Sequence, residues 1–409
     1  MVFAAHPHRR RVIRLPGATI VARTGLGPQP EDPPFRDGTR IASEPRALLE
    51  NARKSRASRD LPPSTLSRQE LADWIAELVN ARGAERMGRL RDQMRDVADT
   101  LDLQAEYRVV DGLIGAALGT RAVPAGTSPA VHALHAGRGF DQTRVERFDD
   151  IAGQLAVAGL PAFTAHSSVE LPFAFFEAYF SNFIEGTEFA VDEALEVVFQ
   201  GAEPTGRPSG DAHDVRGTFG LVTDPVDRSL VPTDPDELFD LLLARHRVLM
   251  AGRPEHSPGA FKRTNNQAGG YVFVSHDLVV GTLEQAYSRA LSLTPGAARA
   301  IYWLFAIAEI HPFSDGNGRI ARVFANAELS ALGLTRIIIP TVFRYEYLNA
   351  LRLASNHGDV DALVKVCVFA QQWAAGLDFS TVDTARVDLE ATNAFVDPTT
   401  DVSARLLLK

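Results

Sequence analysis

The sequence predicts a mainly α-helical protein with one small β-hairpin. Apolar residues recur at helical spacing in several segments, and the 23 phenylalanines outnumber the 7 tyrosines and 3 tryptophans together. One glycine-rich segment near residue 270 has the pattern of a hairpin. A chain of 409 residues with 45% hydrophobic content can form two or three domains with their own cores.

The first region, residues 1–60, is predicted to be a flexible basic arm, because its prolines and glycines break regular structure. It holds twelve Lys and Arg against six Asp and Glu, although the whole chain has a net charge of −9. Its basic clusters, His8–Arg11 and Arg53–Arg56, fit either a solvated surface or a contact with a partner or nucleic acid. The acidic balance of the rest argues against general nucleic-acid binding.

Two helical regions follow the arm. Residues 61–165 predict an N-terminal helical domain whose leucines and isoleucines share one helix face. Residues 166–200 contain a helix with a phenylalanine stripe and, on a second face, the polar residues Glu177, Ser181 and Glu185. Their spacing of i, i+4 and i+8 directs Glu185 away from the packed apolar face.

The core is predicted at residues 201–376, and residues 377–409 add a C-terminal helix and tail. The core opens on residues 201–235, which are rich in Gly, Pro, Asp and Thr and predict a long loop. Further on, the apolar periodicity of Ala297–Ile310 predicts a buried helix, and the same spacing resumes at Ile320.

The loop between these two helices carries the most informative sequence, HPFSDGNGRIAR, at residues 311–322. Gly316 and Gly318 allow the backbone to turn, and the following helix start offers unpaired N–H groups that favour anions. Arg319 and Arg322 are three residues apart and add two guanidiniums to that helix start. Each feature alone is common in loops, but their combination with His311 predicts a polyphosphate site beside a general base.

These residues resemble the signature of the Fic family, HPFx[D/E]GNGRxxR. Every defining position matches: His311, Pro312, Phe313, Asp315, Gly316, Asn317, Gly318, Arg319 and Arg322. The related Doc-type kinase toxins have Ala-Asn-Lys in place of Gly316–Gly318, so the resemblance favours the nucleotidyl-transferring branch. It covers roughly residues 170 to 375 and implies a Fic-type helical bundle with a β-hairpin flap.

The resemblance implies a protein adenylyltransferase, which uses ATP and Mg²⁺ to transfer AMP to a Ser, Thr or Tyr hydroxyl of a target protein, or of the chain itself. His311 would be the general base, since the unperturbed histidine pKa of about 6.5 lies near working pH. Asp315 would bind Mg²⁺, and Phe313 would pack inward. The residues that bind the nucleotide would be Gly316, Asn317, Gly318, Arg319 and Arg322, and Tyr347 would contact the nucleobase.

A flap is also implied by resemblance, since residues 258–262 read PGAFK where the family has PGxFR. The segment Gln267–Gly270 has the signal of a hairpin turn. In the family this flap pairs with the target's backbone as an added strand. The target-binding residues would be Arg263, Thr264, Asn265, Asn266, Tyr271 and Val272.

Residues 181–186, SNFIEG, match the family's inhibitory motif [S/T]xxxE[G/N]. In the family this glutamate, here Glu185, pairs with the second signature arginine, here Arg322, and keeps ATP in an unproductive pose. Ser181 and Gly186 complete the motif. The position implies the self-inhibited class whose inhibitory helix precedes the Fic core.

Alternative functions stay open on the same residues. The chain could remove AMP from proteins or transfer another nucleotide moiety, and a nucleotide-dependent binding module is a third interpretation. The single cysteine, Cys367, excludes an internal disulfide, and no apolar run is long enough to span a bilayer, so a cytoplasmic protein without a membrane contact is expected. The sequence is compatible with a homodimer.

Overall fold

The structure, a computed structural model, describes residues 2–6, 11–16, 18–24, 27–35, 38–57, 61–164, 171–401 and 403–409. Contacts divide the chain into two units, Met1–Gly139 and Phe140–Lys409. The sequence placed its boundary near residue 165 instead. The helix at residues 142–157 belongs to the second unit because its apolar face, with Phe148 and Ile151, lies in that unit's core.

The first unit contains a small sheet and a group of helices. Strands β1 (Val2–His6), β2 (Arg11–Leu15) and β3 (Ala18–Thr24) lie in the order β1-β3-β2, with β3 parallel to β1 and antiparallel to β2. The helices are α1 (Glu44–Asn51), α2 (Arg68–Leu101), α3 (Gln104–Ala117) and α4 (Pro129–His135).

The prediction of a flexible arm over residues 1–60 is therefore wrong for the described part of that region. The sequence reasoning weighed the prolines and glycines, and it overlooked the β-branched residues of β2 and β3, which favour strands. In the sheet Val12 faces Val21 and Ile13 faces Ile20. The basic cluster beginning at His8 lies outside the described residues, apart from Arg11 in β2.

The described part of the second unit is helical apart from the hairpin of β4 (Gln267–Ala268) and β5 (Tyr271–Val272) and an isolated bridge between Thr164 and Leu334. The predicted fold class, mainly α with a small β-hairpin, is confirmed. The helices are α5 (Gln142–Val157), α6 (Leu171–Ile184), α7 (Val191–Leu195), α8 (Ser209–Thr223), α9 (Pro235–Leu249), α10 (Val279–Ala290), α11 (Ala297–Ile310), α12 (Asn317–Ser330), α13 (Arg344–His357), α14 (Asp361–Ala375) and α15 (Val382–Ala391).

The predicted loop at residues 201–235 contains a regular helix, α8, so that prediction is wrong. Most of the Gly and Pro residues that suggested a loop lie outside α8, while Ala212, Val215 and Leu221 are buried along it, together with the polar Asp214 and Thr218. Tertiary packing of this apolar stripe outweighs the low intrinsic helix propensity of the glycines.

Helix α11 lies at the centre of the second unit's core and is buried on nearly all sides. A helix that is apolar all round is stable only when other elements surround it. It packs on α5, α10, α12 and α14, and the loop that joins it to α12 is the signature loop. Among the described residues, no helix combines the length and apolarity needed to cross a bilayer.

Candidate functional site

The signature loop is held in shape by its own side chains. Asn317 accepts the Phe313 N–H at 2.9 Å and donates to the Phe313 carbonyl at 3.0 Å, so its amide closes the loop. Gly316 has a φ of 77°, which favours glycine, and a Cβ there would lie 2.9 Å from the Met250 sulfur. The Asn317 amide therefore uses its oxygen and one of its two N–H groups to hold the loop closed.

A second histidine, His246 on α9, supports the loop from below, and the sequence reasoning missed it. Its ring stacks on Phe313 with 3.7 Å between ring centroids. Its Nδ1 accepts the Gly259 N–H at 2.9 Å, and its Nε2–H donates to the Asp315 carbonyl at 3.2 Å. Burial lowers the pKa of His246 to about 4, so the neutral ring satisfies both partners. No sequence motif marks this residue.

His311 ends α11 with a φ of 54°, in the left-handed region. Its Nδ1–H donates to the Ala308 carbonyl at 3.2 Å, which leaves the Nε2 lone pair as the proton acceptor. The ring stacks on Phe273 of the flap with 3.8 Å between centroids. Burial lowers the pKa of His311 to about 4, so the imidazole is neutral at physiological pH.

His311 lines a cavity of about 750 Å³ that also reaches Glu185, Gly318, Arg322 and Tyr347. This volume lies in the range of small-molecule and cofactor sites. Tyr347 is 1% exposed, and burial raises its pKa to about 12. The contact of Tyr347 with the nucleobase stays a prediction, but Tyr347 borders the same cavity as His311, the general-base candidate.

The two signature arginines have different surroundings. Arg322 donates to Glu185 at 2.7 Å, to the Ser181 hydroxyl at 2.9 Å and to the Ser181 carbonyl at 2.8 Å. Arg319 is 3% exposed and forms an ion pair of 2.8 Å with Asp214 of α8, a residue that the sequence reasoning missed inside its predicted loop. Both guanidiniums are therefore paired with carboxylates. The two arginines and Asp214 are buried, whereas the side chain of Glu185 is 32% exposed.

The polar stripe of α6 faces a matching stripe of α12. Glu177 accepts from Asn326 at 2.7 Å, one helical turn beyond the pair of Ser181 and Arg322. Glu177 and Ser181 are buried against α12, whereas Glu185, which the spacing directs away from the packed apolar face, is exposed. The carboxylate of Glu185 contacts Gly318 so closely that a Cβ at 318 would displace it. The glycine therefore provides the space that Glu185 occupies.

Asp315, the predicted Mg²⁺ ligand, has a side chain that is 45% exposed. Its Oδ1 accepts the Gly316 N–H at 2.7 Å, and its Oδ2 lies 3.8 Å from Arg319 and 3.9 Å from His256. The described residues contain no cluster of three metal-ligating side chains. A single accessible carboxylate is nevertheless compatible with Mg²⁺, which is usually held by one or two carboxylates together with substrate phosphates.

The flap is a hairpin whose turn is Gly269–Gly270, shorter than the four-residue turn predicted from the sequence. Asn266 donates to the Phe313 carbonyl at 2.9 Å, and the Lys262 N–H donates to the Pro312 carbonyl at 2.9 Å. The flap is therefore joined directly to the signature loop. The other predicted target-binding residues are Arg263, Thr264, Asn265 and Val272, which are exposed, and Tyr271, which is half-buried.

Residues 237–329 match the sequence model of the Fic/DOC family. The chain carries a Fic/DOC-family domain. The whole signature lies inside the matched range, and Ser181, Glu185 and Gly186 lie outside it. The Fic assignment therefore rests on the loop and its flanking helices, and the inhibitory role of Glu185 stays a prediction.

Relatives of the Fic domain include proteins named protein adenylyltransferases. The protein adenylyltransferase Fic of Drosophila willistoni is 31% identical over 201 residues, which cover 46% of this chain and 39% of that protein. Protein adenylyltransferase fic-1 of Caenorhabditis elegans is 26% identical over 197 residues, with 47% and 38% covered. The matched region thus spans about two fifths of the length of these relatives.

A solved fragment of Fic-1 from C. elegans is also similar in structure. The superposition covers 84% of this chain and 97% of the fragment, with 18% sequence identity and a TM-score of 0.42. A likeness this loose carries no functional argument.

Proposed function

We propose that this protein is an adenylyltransferase that moves AMP from ATP to a hydroxyl of a target protein, restrained by the pair of Glu185 and Arg322. The observation that carries the proposal is the state of His311. Its Nδ1–H is bound to a backbone carbonyl and its ring borders the cavity, so a neutral imidazole can accept a proton through Nε2. A module that only bound nucleotide would need no such base.

In the proposed step, Nε2 of His311 takes the proton of the target hydroxyl. The hydroxyl oxygen then forms a bond to the α-phosphorus of ATP, the bond from that phosphorus to the bridging oxygen breaks, and pyrophosphate leaves. The N–H groups at the start of α12 stabilise the phosphate oxygens where negative charge accumulates. Asp315 would hold Mg²⁺, which would neutralise part of the phosphate charge when bound.

The target would dock on the flap as an added strand, because this hairpin has exposed residues and lies against the loop that carries His311. The Nε2 of His311 and the docked hydroxyl would then be brought together by two fixed elements. Positioning of this kind supplies much of the rate gain in group transfer. The chain itself could also be a target.

A second candidate is AMP removal from a modified protein. Glu185 and His311 border the same cavity, so the carboxylate could orient a water molecule towards a bound AMP–protein bond. Wild-type protein incubated with AMP-modified protein would then release AMP, whereas Glu185→Gly would not.

The proposal is tested by incubating the Glu185→Gly variant with ATP labelled at the α-phosphate. Label should appear on the chain or on a protein of a cell lysate, and Glu185→Gly combined with His311→Ala should show none. Label transferred only from the γ-phosphate would show kinase action and refute the proposal. Parallel incubations with α-labelled GTP, CTP and UTP test transfer of another nucleotide moiety. Tight nucleotide binding without any covalent product would favour a binding module.

A further inference from the structure

A buried polar cluster connects the flap to three helices of the second unit. Glu309 of α11 is 2% exposed, and its Oε1 accepts from the Tyr271 hydroxyl and lies 3.1 Å from Arg144 Nε. Its Oε2 accepts from Ser355 of α13 at 2.6 Å. The Glu309 carboxylate therefore connects α5, α13 and the flap strand β5. Sequence analysis did not identify Arg144 or Glu309.

Arg144 of α5 holds the same strand in two further ways. Its Nη2 donates to the Val272 carbonyl at 2.6 Å, and its guanidinium lies over the Tyr271 ring, 4.9 Å from the centroid. Charge-assisted bonds and cation–π contacts are among the stronger polar interactions when they are partly buried. The side chain of Arg144 is 16% exposed, and its bond to the Val272 carbonyl lies at the surface.

The hairpin alone cannot hold this position. Its two strands are two residues each, and an isolated hairpin is marginally stable at best in water. The next backbone bond beyond the ladder, from the Phe273 N–H to the Asn266 carbonyl, is long at 3.3 Å. Lys262 and Asn266 bind the first half of the flap to the signature loop, and the cluster of Arg144, Glu309 and Tyr271 anchors its second strand.

The held strand leads directly to the base. Phe273 follows Val272, and its ring stacks on the His311 imidazole at an interplanar angle of 12°. A flap that moved away would remove this ring and admit water to His311. The charged groups that act on the imidazole would stay: Lys262 before the flap, Glu185 after α6 and Asp315 in the loop itself.

We propose that Arg144 and Glu309 are positioning residues that fix the flap against the helices and, through Phe273, fix the imidazole of His311. The inference deepens the proposed function, since flap and base would have to be placed together for target docking and proton transfer. Arg144 lies 93 residues before the start of the family match at residue 237, so this chain supplies part of its flap support from outside the matched domain.

Two measurements on the whole chain test the positioning role of Arg144 and Glu309 without any catalysis. Hydrogen exchange of peptides covering residues 263–275 should be at least about tenfold faster in Arg144→Ala, because a charge-assisted bond is lost. The ring protons of His311, assigned with His311→Ala, should lose the ring-current shift caused by Phe273. Their titration midpoint should rise from about 4 towards the ordinary histidine value of about 6.5.

The matched control is Arg289→Gln, which removes a surface arginine that pairs with Asp149 on the same helix as Arg144. It should leave both readouts unchanged. If Arg144→Ala unfolds, Arg144→Met combined with Glu309→Gln removes both charges with similar volume. Arg144→Lys should restore part of the protection, because it keeps the charge without the paired nitrogens.

The inference would be overturned if the folded double variant Arg144→Met, Glu309→Gln showed the hydrogen exchange of the flap and the His311 resonances of the wild type. Transfer is measured separately in the Glu185→Gly background, where Arg144→Ala should lower transfer at least about tenfold while leaving ATP affinity within about twofold. If Glu185→Gly is itself inactive, the proposed function fails. The positioning role of Arg144 and Glu309 is still tested by hydrogen exchange of the flap and by the His311 ring-proton signals.

Discussion

Replacing Glu185 tests the proposed inhibition, and the contacts of Arg322 set the expected size of the effect. Arg322 is 7% exposed and has three acceptors, of which Glu185 alone is charged. A hydrogen bond to a charged group contributes about 1.5–3 kcal/mol, and a neutral one about 1 kcal/mol. The Glu185 side chain is 32% exposed, so solvent weakens the pair towards the lower figure.

Glu185→Gln, which keeps the shape and loses the charge, should therefore weaken the restraint by about 0.5–1 kcal/mol and raise transfer about two- to fivefold. Glu185→Gly removes the whole bond of about 1.5–2 kcal/mol, so transfer should rise about ten- to thirtyfold. Ser181 still holds the guanidinium through two bonds in both variants. This remaining restraint keeps the expected gain below the effect of freeing Arg322 completely.

The assay is the initial rate of label transfer from α-labelled ATP at saturating nucleotide. The matched control is Glu188→Gln, because Glu188 lies three residues on, is more exposed and pairs with Arg344 at 3.7 Å. It should leave the rate unchanged. Equal rates for wild type, Glu185→Gln and Glu185→Gly, in preparations that all bind ATP, would refute the reasoning.

Three further predictions follow from the site. Because burial lowers the pKa of His311 to about 4, its neutral form should persist from about pH 5.5 to 8, and an acid limb with a midpoint near 6.5 in a pH–rate profile would contradict this. Asp214→Asn leaves Arg319 without its buried carboxylate, so thermal or urea unfolding should show a loss of about 3 kcal/mol, and a loss under 1 kcal/mol would contradict it. Asp315→Asn should raise the Mg²⁺ concentration needed for half-maximal transfer, whereas the Mg²⁺ dependence of Ser314→Ala should match wild type.

Sequence was sufficient where the determinants are local. The helix at Ala297–Ile310 and the start of α12 were predicted from residues within a few turns of the loop, because apolar spacing and glycines act over short distances. The contact between Glu185 and Arg322 spans 137 positions and was predicted only through a family motif. A motif can report a distant contact that periodicity cannot.

The contacts missed by sequence reasoning have no such motif. Asp214, His246 and Arg144 lie on separate helices, and each reaches the site only because tertiary packing places its helix there. Asp214 was hidden twice, since its helix was also misread as a loop. The helix propensity of single residues gives a weak signal, and burial of an apolar stripe decided the outcome at α8.

The two signature arginines look equivalent in sequence, and the structure gives them unequal freedom. The partner of Arg319, Asp214, is 1% exposed and also binds Arg253 at 2.9 Å, so separating it would leave buried charges uncompensated. The partner of Arg322, Glu185, stands at the end of α6 with a side chain that is 32% exposed, and it can turn into solvent at much lower cost. The ion pair of Arg322 is therefore easier to separate than that of Arg319, because its carboxylate partner is the more exposed of the two. Under the proposed inhibition, a regulatory signal would therefore act on Glu185, and a variant that loosens Arg319 should cost stability before it changes regulation.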